Sequence, residues 1–346
     1  MAKKALSTPA DILNTIRDNS DKLYASRVPQ ATQDNLKEIG KAITTDSIRM
    51  NVFMDALINR IAQTDIKGRL YQNPLKRLKG PNVPMGSTIQ ELFVNPAIDA
   101  GYKSDPNLLL KTTKPDGKAC YYGINRESTY PLTLRQFEIE RAFVNNAEFI
   151  SFYNWIISSL YSGDNIDEFN ITKKTLGNCI DNGAMHIVAA DIADPKQLAK
   201  NISSMSDYFE FESASYCGYN LVNNLSLTSE EKACLTFCPK ESQALFLTVD
   251  ANTEINFEYM ANLFNLSLVE LNNLKIKLDT IPSEKYDIYA ILVDTAAIQI
   301  RDQQYRTETF WNGATLEMNM WLHHFEYFWV SMFANCVAFG KPKAEA

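Results

Sequence analysis

Apolar residues first fall into helical register near the start of the chain, where Ile12, Leu13 and Ile16 follow Thr8, Pro9 and Asp11. A hydroxyl that accepts from the first unpaired N–H groups, a proline with φ already helical and an acid in the first turn predict an N-capped helix. From Asp21 to Thr44 no comparable periodicity follows. The reading there is an extended arm with one short helical turn near Asn35 to Ile39. Between Thr45 and Gln63, Met50, Met54, Leu57 and Ile61 recur at i, i+4, i+7 and i+11, one face of an amphipathic helix.

Lys67 to Pro131 reads differently. Prolines, glycines and lysines surround two short β-favouring runs, Thr88 to Val94 and Ala119 to Ile124. A structureless loop of this size is rare inside a compact domain, so a two-stranded excursion with partners on other molecules is expected. A strong helix follows, with Phe149, Phe152, Tyr153, Ile156 and Leu160 on one stripe. Gly163 is expected to close it, and Asp164, Asp167 and Glu168 to cap a second helix ending near Asn182 and Gly183. Beyond Gly183, strands and helices alternate: a strand at Met185 to Ala189, a helix from Asp194 through Leu198, Ile202, Met205 and Phe209, a capping box at Thr228 and Glu231, a strand at Ala244 to Val249, a helix at Phe257 to Phe264 and a strand at Tyr289 to Val293. Leu316, Met318, Met320 and Leu322 then alternate with polar partners, which predicts a strand with one buried face, continuing to Phe339. The fold class is α+β.

The composition adds limits. With 41 acidic and 34 basic residues the formal net charge is −7, so the whole surface does not attract nucleic acid and any basic role is local. No apolar run of signal-peptide length follows the first residues. The apolar C-terminal stretch is interrupted by His323, His324, Glu326, Ser331 and Asn335, which argues against a membrane span. The reading is a soluble protein made inside the cell, with its six cysteines as free thiols.

Catalytic constellations do not emerge. There is no phosphate-cradling Gly-rich loop ending in Lys-Ser/Thr, no dinucleotide fingerprint, no nucleophile elbow and no zinc helix. His323 and His324 are adjacent in a predicted strand and point to opposite faces, so one is expected packed and the other wet. Cys234 and Cys238, read as i and i+4 on a helix with Cys217 able to approach, lack the four ligands of a zinc site. Trp155, Trp311, Trp321 and Trp329 sit on apolar stripes and read as core or subunit contacts. No catalytic, metal or cofactor residues are assigned.

Several collinear stretches resemble the major capsid proteins of small short-tailed phages of the phi-twenty-nine type. They are Asn73-Pro74-Leu75-Lys76-Arg77-Leu78-Lys79 with Val83-Pro84-Met85-Gly86 and Glu91-Leu92-Phe93; Ser151-Phe152, Ile156-Ile157, Leu160-Tyr161 and Asp167-Glu168-Phe169; and Phe333-Ala334-Asn335 with Val337-Ala338-Phe339. Val28-Pro29, Ala31-Thr32, Ile39-Gly40 and Leu292-Val293-Asp294 extend the similarity in the same order. The resemblance implies the HK-ninety-seven-like capsid fold: an N-terminal arm (1–64), an extended β-hairpin loop (65–131), a peripheral domain with a spine helix (132–190), an axial domain (191–295) and return strands of the peripheral domain (296–346). A C-terminal immunoglobulin-like module found in some relatives is expected to be missing.

The same resemblance implies a non-enzymatic shell protein of the virion, assembled in the host cytoplasm. Its partners would be further copies of itself in pentamers and hexamers, a scaffolding protein, a portal protein and packaged double-stranded DNA on the inner face. Some shells of this fold cross-link loop lysines; Lys103, Lys111, Lys114 and Lys118 lie in the loop and read as solvated charge. The stretch from Lys67 to Lys79 holds Lys67, Arg69, Lys76, Arg77 and Lys79 and no acid, and with Arg126 these residues are candidate subunit-interface positions. Two other function classes compete, a metal-dependent hydrolase and a nucleic-acid-binding scaffold protein, separable by zinc analysis and a salt-dependent gel shift.

Overall fold

The computed structural model describes residues 8–32, 34–57, 71–97, 114–226, 228, 232–255 and 275–343. In chain order the helices are α1 (Pro9–Asn19), α2 (Lys22–Arg27), α3 (Leu36–Thr44), α4 (Ser47–Ala56), α5 (Gln136–Ala142), α6 (Asn146–Asp181), α7 (Pro195–Phe209), α8 (Gly218–Asn223) and α9 (Val249–Glu254). The strands are β1 (Ile89–Val94), β2 (Gly117–Tyr122), β3 (Arg126–Arg135), β4 (His186–Ala189), β5 (Gln243–Thr248), β6 (Lys275–Leu278), β7 (Tyr286–Asp294), β8 (Ile298–Asn312), β9 (Glu317–Val330) and β10 (Cys336–Pro342). They form two compact units built from separate stretches: Met1–Asn73, Arg126–Glu168 and Asp302–Glu326 in the first, Pro74–Asn125, Phe169–Arg301 and Tyr327–Ala346 in the second.

In the first unit α1 begins as its sequence predicts, with the Thr8 hydroxyl accepting from the Asp11 N–H at 3.2 Å. The stretch expected to be extended is helical instead. Asp21 accepts from the Tyr24 N–H at 2.8 Å and caps α2, and α3 runs nine residues. The periodicity is hard to read because α2 buries only Tyr24, and because the buried face of α3 includes a glycine. A Cβ on Gly40 would lie 2.4 Å from the Phe143 Cβ, so only glycine lets α3 come this close. Asp46 caps α4, which buries Met50, Phe53 and Met54; the remainder of the helix expected to Gln63 lies outside the described residues.

A second correction concerns the helix expected to stop at Gly163. Helix α6 is one continuous element of 36 residues, and Gly163 lies within it. Asp164, Asp167 and Glu168 therefore cap nothing. The core of the first unit gathers Ile16, Ile39, Ile43, Phe53, Phe149, Ile156 and Leu160 with Leu134, Met318, Met320 and Leu322 from a three-stranded sheet ordered β3-β9-β8. Antiparallel pairing of β3 with β9 runs from Arg126 opposite Glu326 to Arg135 opposite Glu317.

In the second unit five strands are ordered β4-β10-β7-β5-β6, with β10 parallel to β4 and antiparallel to β7, and β5 antiparallel to β7 and parallel to β6. Alternation splits the sheet into two apolar faces. Phe246, Ile291, Val293 and Ala338 pack with Leu176 and Ile180 of α6, while Leu245, Leu247, Ala290, Leu292, Val337 and Phe339 pack with Leu198, Ile202 and Phe209 of α7. Helix α6 ends at Asp181, and Gly183 takes the left-handed φ of 73° that turns the chain toward β4. The expected excursion contains an antiparallel hairpin, β1 with β2, in register from Ile89 opposite Tyr122 to Val94 opposite Gly117. The strand expected to run to Phe339 divides: β9 ends at Val330, and β10 starts at Cys336 in the other sheet. The capping box at Thr228 and Glu231 and the helix expected at Phe257 to Phe264 fall wholly or partly outside the described residues.

Candidate functional site

Strand β9 places Met318, Met320, Leu322, His324 and Glu326 on one face, and all five are buried. The first three join the apolar core; the last two bring charge into the interior of the first unit. Helix α6 makes the same transition along its i+4 stripe, from Ile156 and Leu160 to Asp164 and Glu168, again all buried. Strand β3 supplies Arg126 at its first residue, 3% exposed.

These side chains form one network. Arg126 pairs through Nη1 with Glu326, and through Nη2 it donates to Asp164 Oδ1 and to the Tyr130 hydroxyl, each at 2.7 Å. The Tyr130 hydroxyl donates in turn to Asp167 at 2.8 Å. His324 Nδ1 lies 2.7 Å from Asp164, and its Nε2 lies 2.9 Å from Asp302 and 3.0 Å from Glu326. Asn73 donates to Glu168 at 2.6 Å, and Tyr305 packs edge-on against the His324 ring at 4.5 Å between centroids.

Burial pushes the His324 pKa down, yet hydrogen bonds to Asp164, Asp302 and Glu326 outweigh it and raise the value to about 10. The ring is an imidazolium at neutral pH. Burial likewise works against the Arg126 charge, and Glu326 and Asp164 more than restore it. Glu168, His324 and Glu326 bring possible ligand atoms within 4.8 Å of one another. They do not fit a metal ion, because Glu326 already faces a guanidinium and His324 would have to give up its proton to ligate. What the arrangement does is hold α6, β3, β8 and β9 together by charge in the first unit, at positions where the apolar stripes stop.

The sequence-predicted positions divide. Arg126 is enclosed within the chain, as above. Lys76 and Arg77 are exposed on a 3-10 turn, Pro74–Leu78, where Arg77 donates to the Lys275 carbonyl at 3.4 Å and partial burial lowers its pKa. Lys79 is half-buried and bridges Ile300. Lys67 and Arg69, like Lys103 and Lys111, lie outside the described residues. Lys118, read as solvated, is buried beside Asp116 at 3.7 Å and over the Tyr219 ring.

The two adjacent histidines do point apart: His324 is buried and His323 is half-exposed, 3.0 Å from the Thr129 hydroxyl. Cys234 and Cys238 do not share a helix; the segment is irregular, and they belong to different apolar clusters. Trp155 is exposed, which leaves only the subunit-contact half of its reading. The network itself was missed, although the alternation of β9 carries straight through His324 and Glu326.

A family model described as Phi29-like phage major capsid protein matches residues 13–340. The chain belongs to this family. It is a virion component that forms the phage head shell, and shell formation makes self-association part of its function. It is 26% identical over 332 residues to the major capsid protein of Bacillus phage PZA, covering 95% of this chain and 72% of that protein. To the major capsid protein of Streptococcus phage Cp-1 it is 25% identical over 351 residues, covering 94% and 92%. The fold is HK-ninety-seven-like. A chain of the capsid of Staphylococcus phage Andhra superposes with TM-score 0.64 at 13% identity, covering 79% of this chain and 85% of that one. Among the described residues no helix is long and apolar enough to cross a membrane.

Proposed function

We propose that this capsid protein closes its shell as pentamers and hexamers around double-stranded DNA, with a scaffolding protein and a portal protein as assembly partners and without a catalytic site of its own. In this reading 1–64 is the arm, 65–131 the extended loop, 132–190 the peripheral domain, 191–295 the axial domain and 296–346 the return strands. The observation that carries it is the hairpin. Leu92, Val94 and Tyr121 are 68%, 59% and 66% exposed on β1 and β2, apolar side chains that the second unit leaves uncovered and a neighbouring copy would bury. Repetition of such contacts around a closed shell turns weak interfaces into a stable assembly.

Lys76, Arg77 and Lys79, and with them Lys67 and Arg69, are proposed to face acidic groups of a neighbouring subunit. Changing Lys76, Arg77 and Lys79 together to Glu tests this. Circular dichroism is expected to match the wild type while sedimentation velocity, in the absence of DNA, shows no shells, because like charges then meet at every copy of the interface. Normal assembly of the triple variant without DNA would remove the intersubunit role.

A further inference from the structure

Two of the six cysteines, Cys217 and Cys234, pack with Phe333 in a small apolar cluster of the second unit, with Cys120 at its edge. Cys217 is the residue before α8, and Cys234 lies in the irregular stretch before β5. Asn220, in the first turn of α8, ties their backbones together: its side chain donates to the Cys234 carbonyl and accepts from the Cys234 N–H, both at 2.8 Å. The two side chains share one cluster of three buried residues, near enough for each to shift the ionisation of the other. A disulfide needs Cα atoms roughly 4.4–6.8 Å apart with side chains converging, and two thiols packed in one small cluster on clamped backbones are placed to meet the second demand.

We infer that Cys217 and Cys234 form a dithiol that hydrogen peroxide closes into a disulfide, a covalent lock at the Val94–Gly117 end of the β1–β2 hairpin. The link to the hairpin is Asn95, next after β1. Its side chain donates to the Ala233 carbonyl at 3.1 Å and accepts from the Leu235 N–H at 3.0 Å, gripping the residues on either side of Cys234. Phe93 of β1 stacks on Phe333 with 5.5 Å between ring centroids. Fixing Cys234 therefore fixes this end of the hairpin.

The two sulfurs have different parts to play. The neighbouring Cys234 holds the Cys217 thiol below its ordinary pKa against the effect of burial, while Cys217 and burial push Cys234 well up. Cys217 is the attacking thiolate; ionising, it gives up its 3.1 Å bond to the Met332 carbonyl. Its sulfur attacks peroxide, the O–O bond breaks, and a sulfenic acid forms with release of hydroxide. The Cys234 sulfur then attacks the sulfenic sulfur, the S–S bond forms and the oxygen leaves as water. Two thiols and one peroxide give one disulfide and two waters. Both residues are buried, so a small oxidant is required, and a reducing cytosol keeps the pair open until the particle leaves it.

The experiment treats the folded full-length protein with a slight excess of hydrogen peroxide, alkylates remaining thiols after denaturation and maps the peptides by mass. The expected product joins the Cys217 and Cys234 peptides, two hydrogens lighter than the separate thiols, with Cys179, Cys238 and Cys336 alkylated. In Cys234→Ser the sulfenic acid on Cys217 persists and is trapped by dimedone. Wild-type protein, oxidised against reduced, needs no substitution and tests the lock: protease cuts within the hairpin segment are expected to slow on oxidation. Recovery of both residues as alkylated thiols, or of Cys217 joined to Cys120, overturns the dithiol; equal cutting rates overturn the lock.

Discussion

Arg126 and Glu326 face each other across the β3–β9 ladder as a buried ion pair, 3% and 0% exposed, within a network of other buried charged groups. Taking two charges out of water is costly, so such a pair stabilises a fold only when nearly every donor and acceptor is met. Arg126 achieves this by reaching Glu326, Asp164, Tyr130 and Ser128 at once.

Removing the cation alone exposes that balance. Arg126→Ala leaves buried Asp164 and Glu326 with His324 as their one remaining cation among the described residues and is expected to lower the unfolding free energy by about 3–5 kcal/mol. Arg126→Lys keeps the charge but loses the planar fork, and should fall between the two. Urea unfolding of the three proteins checks the order; equal midpoints would mean the network contributes nothing.

The His324 proton gives a signed pH dependence. Its folded pKa, raised to about 10 from the ordinary 6.5, means the folded chain keeps a proton that the unfolded chain releases earlier. Its contribution to stability is complete below pH 6.5 and disappears as pH rises through about 10. The difference in melting temperature between wild type and His324→Gln is therefore expected to shrink steadily from neutral pH to about 10. A difference that grows with pH would show the ring to be neutral in the fold.

Two glycines of α6 should respond in opposite ways to alanine. A Cβ at Gly163 would find the Tyr130 ring at 3.7 Å, an ordinary contact, and Gly163 lies in helical backbone. Gly163→Ala is expected to stabilise by about 1 kcal/mol, the usual gain in a helix interior. At Gly177 the Cβ would fall 1.5 Å from the Pro282 carbonyl oxygen. Gly177→Ala should destabilise severely or prevent folding. Thermal unfolding distinguishes them, and a strained Gly163→Ala would restore the view that the helix stops there.

The fates of these positions show what the sequence made legible. Where a local signal is self-contained, it can be read: Thr8 and Asp11 at α1, Asp194 and Pro195 at α7, and the two β-favouring runs of the hairpin all lie where their side chains predict. Asp164 and Glu168 could not be read that way. A buried acid on an i+4 stripe looks like a cap unless its partner is known, and the partners Arg126, His324 and Glu326 come from other strands distant in the chain. Strand β8 escaped because its burial is only partial, so no clean alternation marks it. The division between β9 and β10 escaped because both are apolar, and which sheet each joins is decided by pairing rather than by composition.

The central claim is that this chain builds a shell, its uncovered hairpin residues finding their burial on other copies. Sedimentation velocity with negative-stain microscopy of the purified protein, over a concentration series and with and without the scaffolding protein of the same phage, tests it most directly. The expected result is a shift from free subunits to closed multi-megadalton shells of uniform curvature. A compact monomer at every concentration under both conditions, with the hairpin resistant to protease, would contradict it.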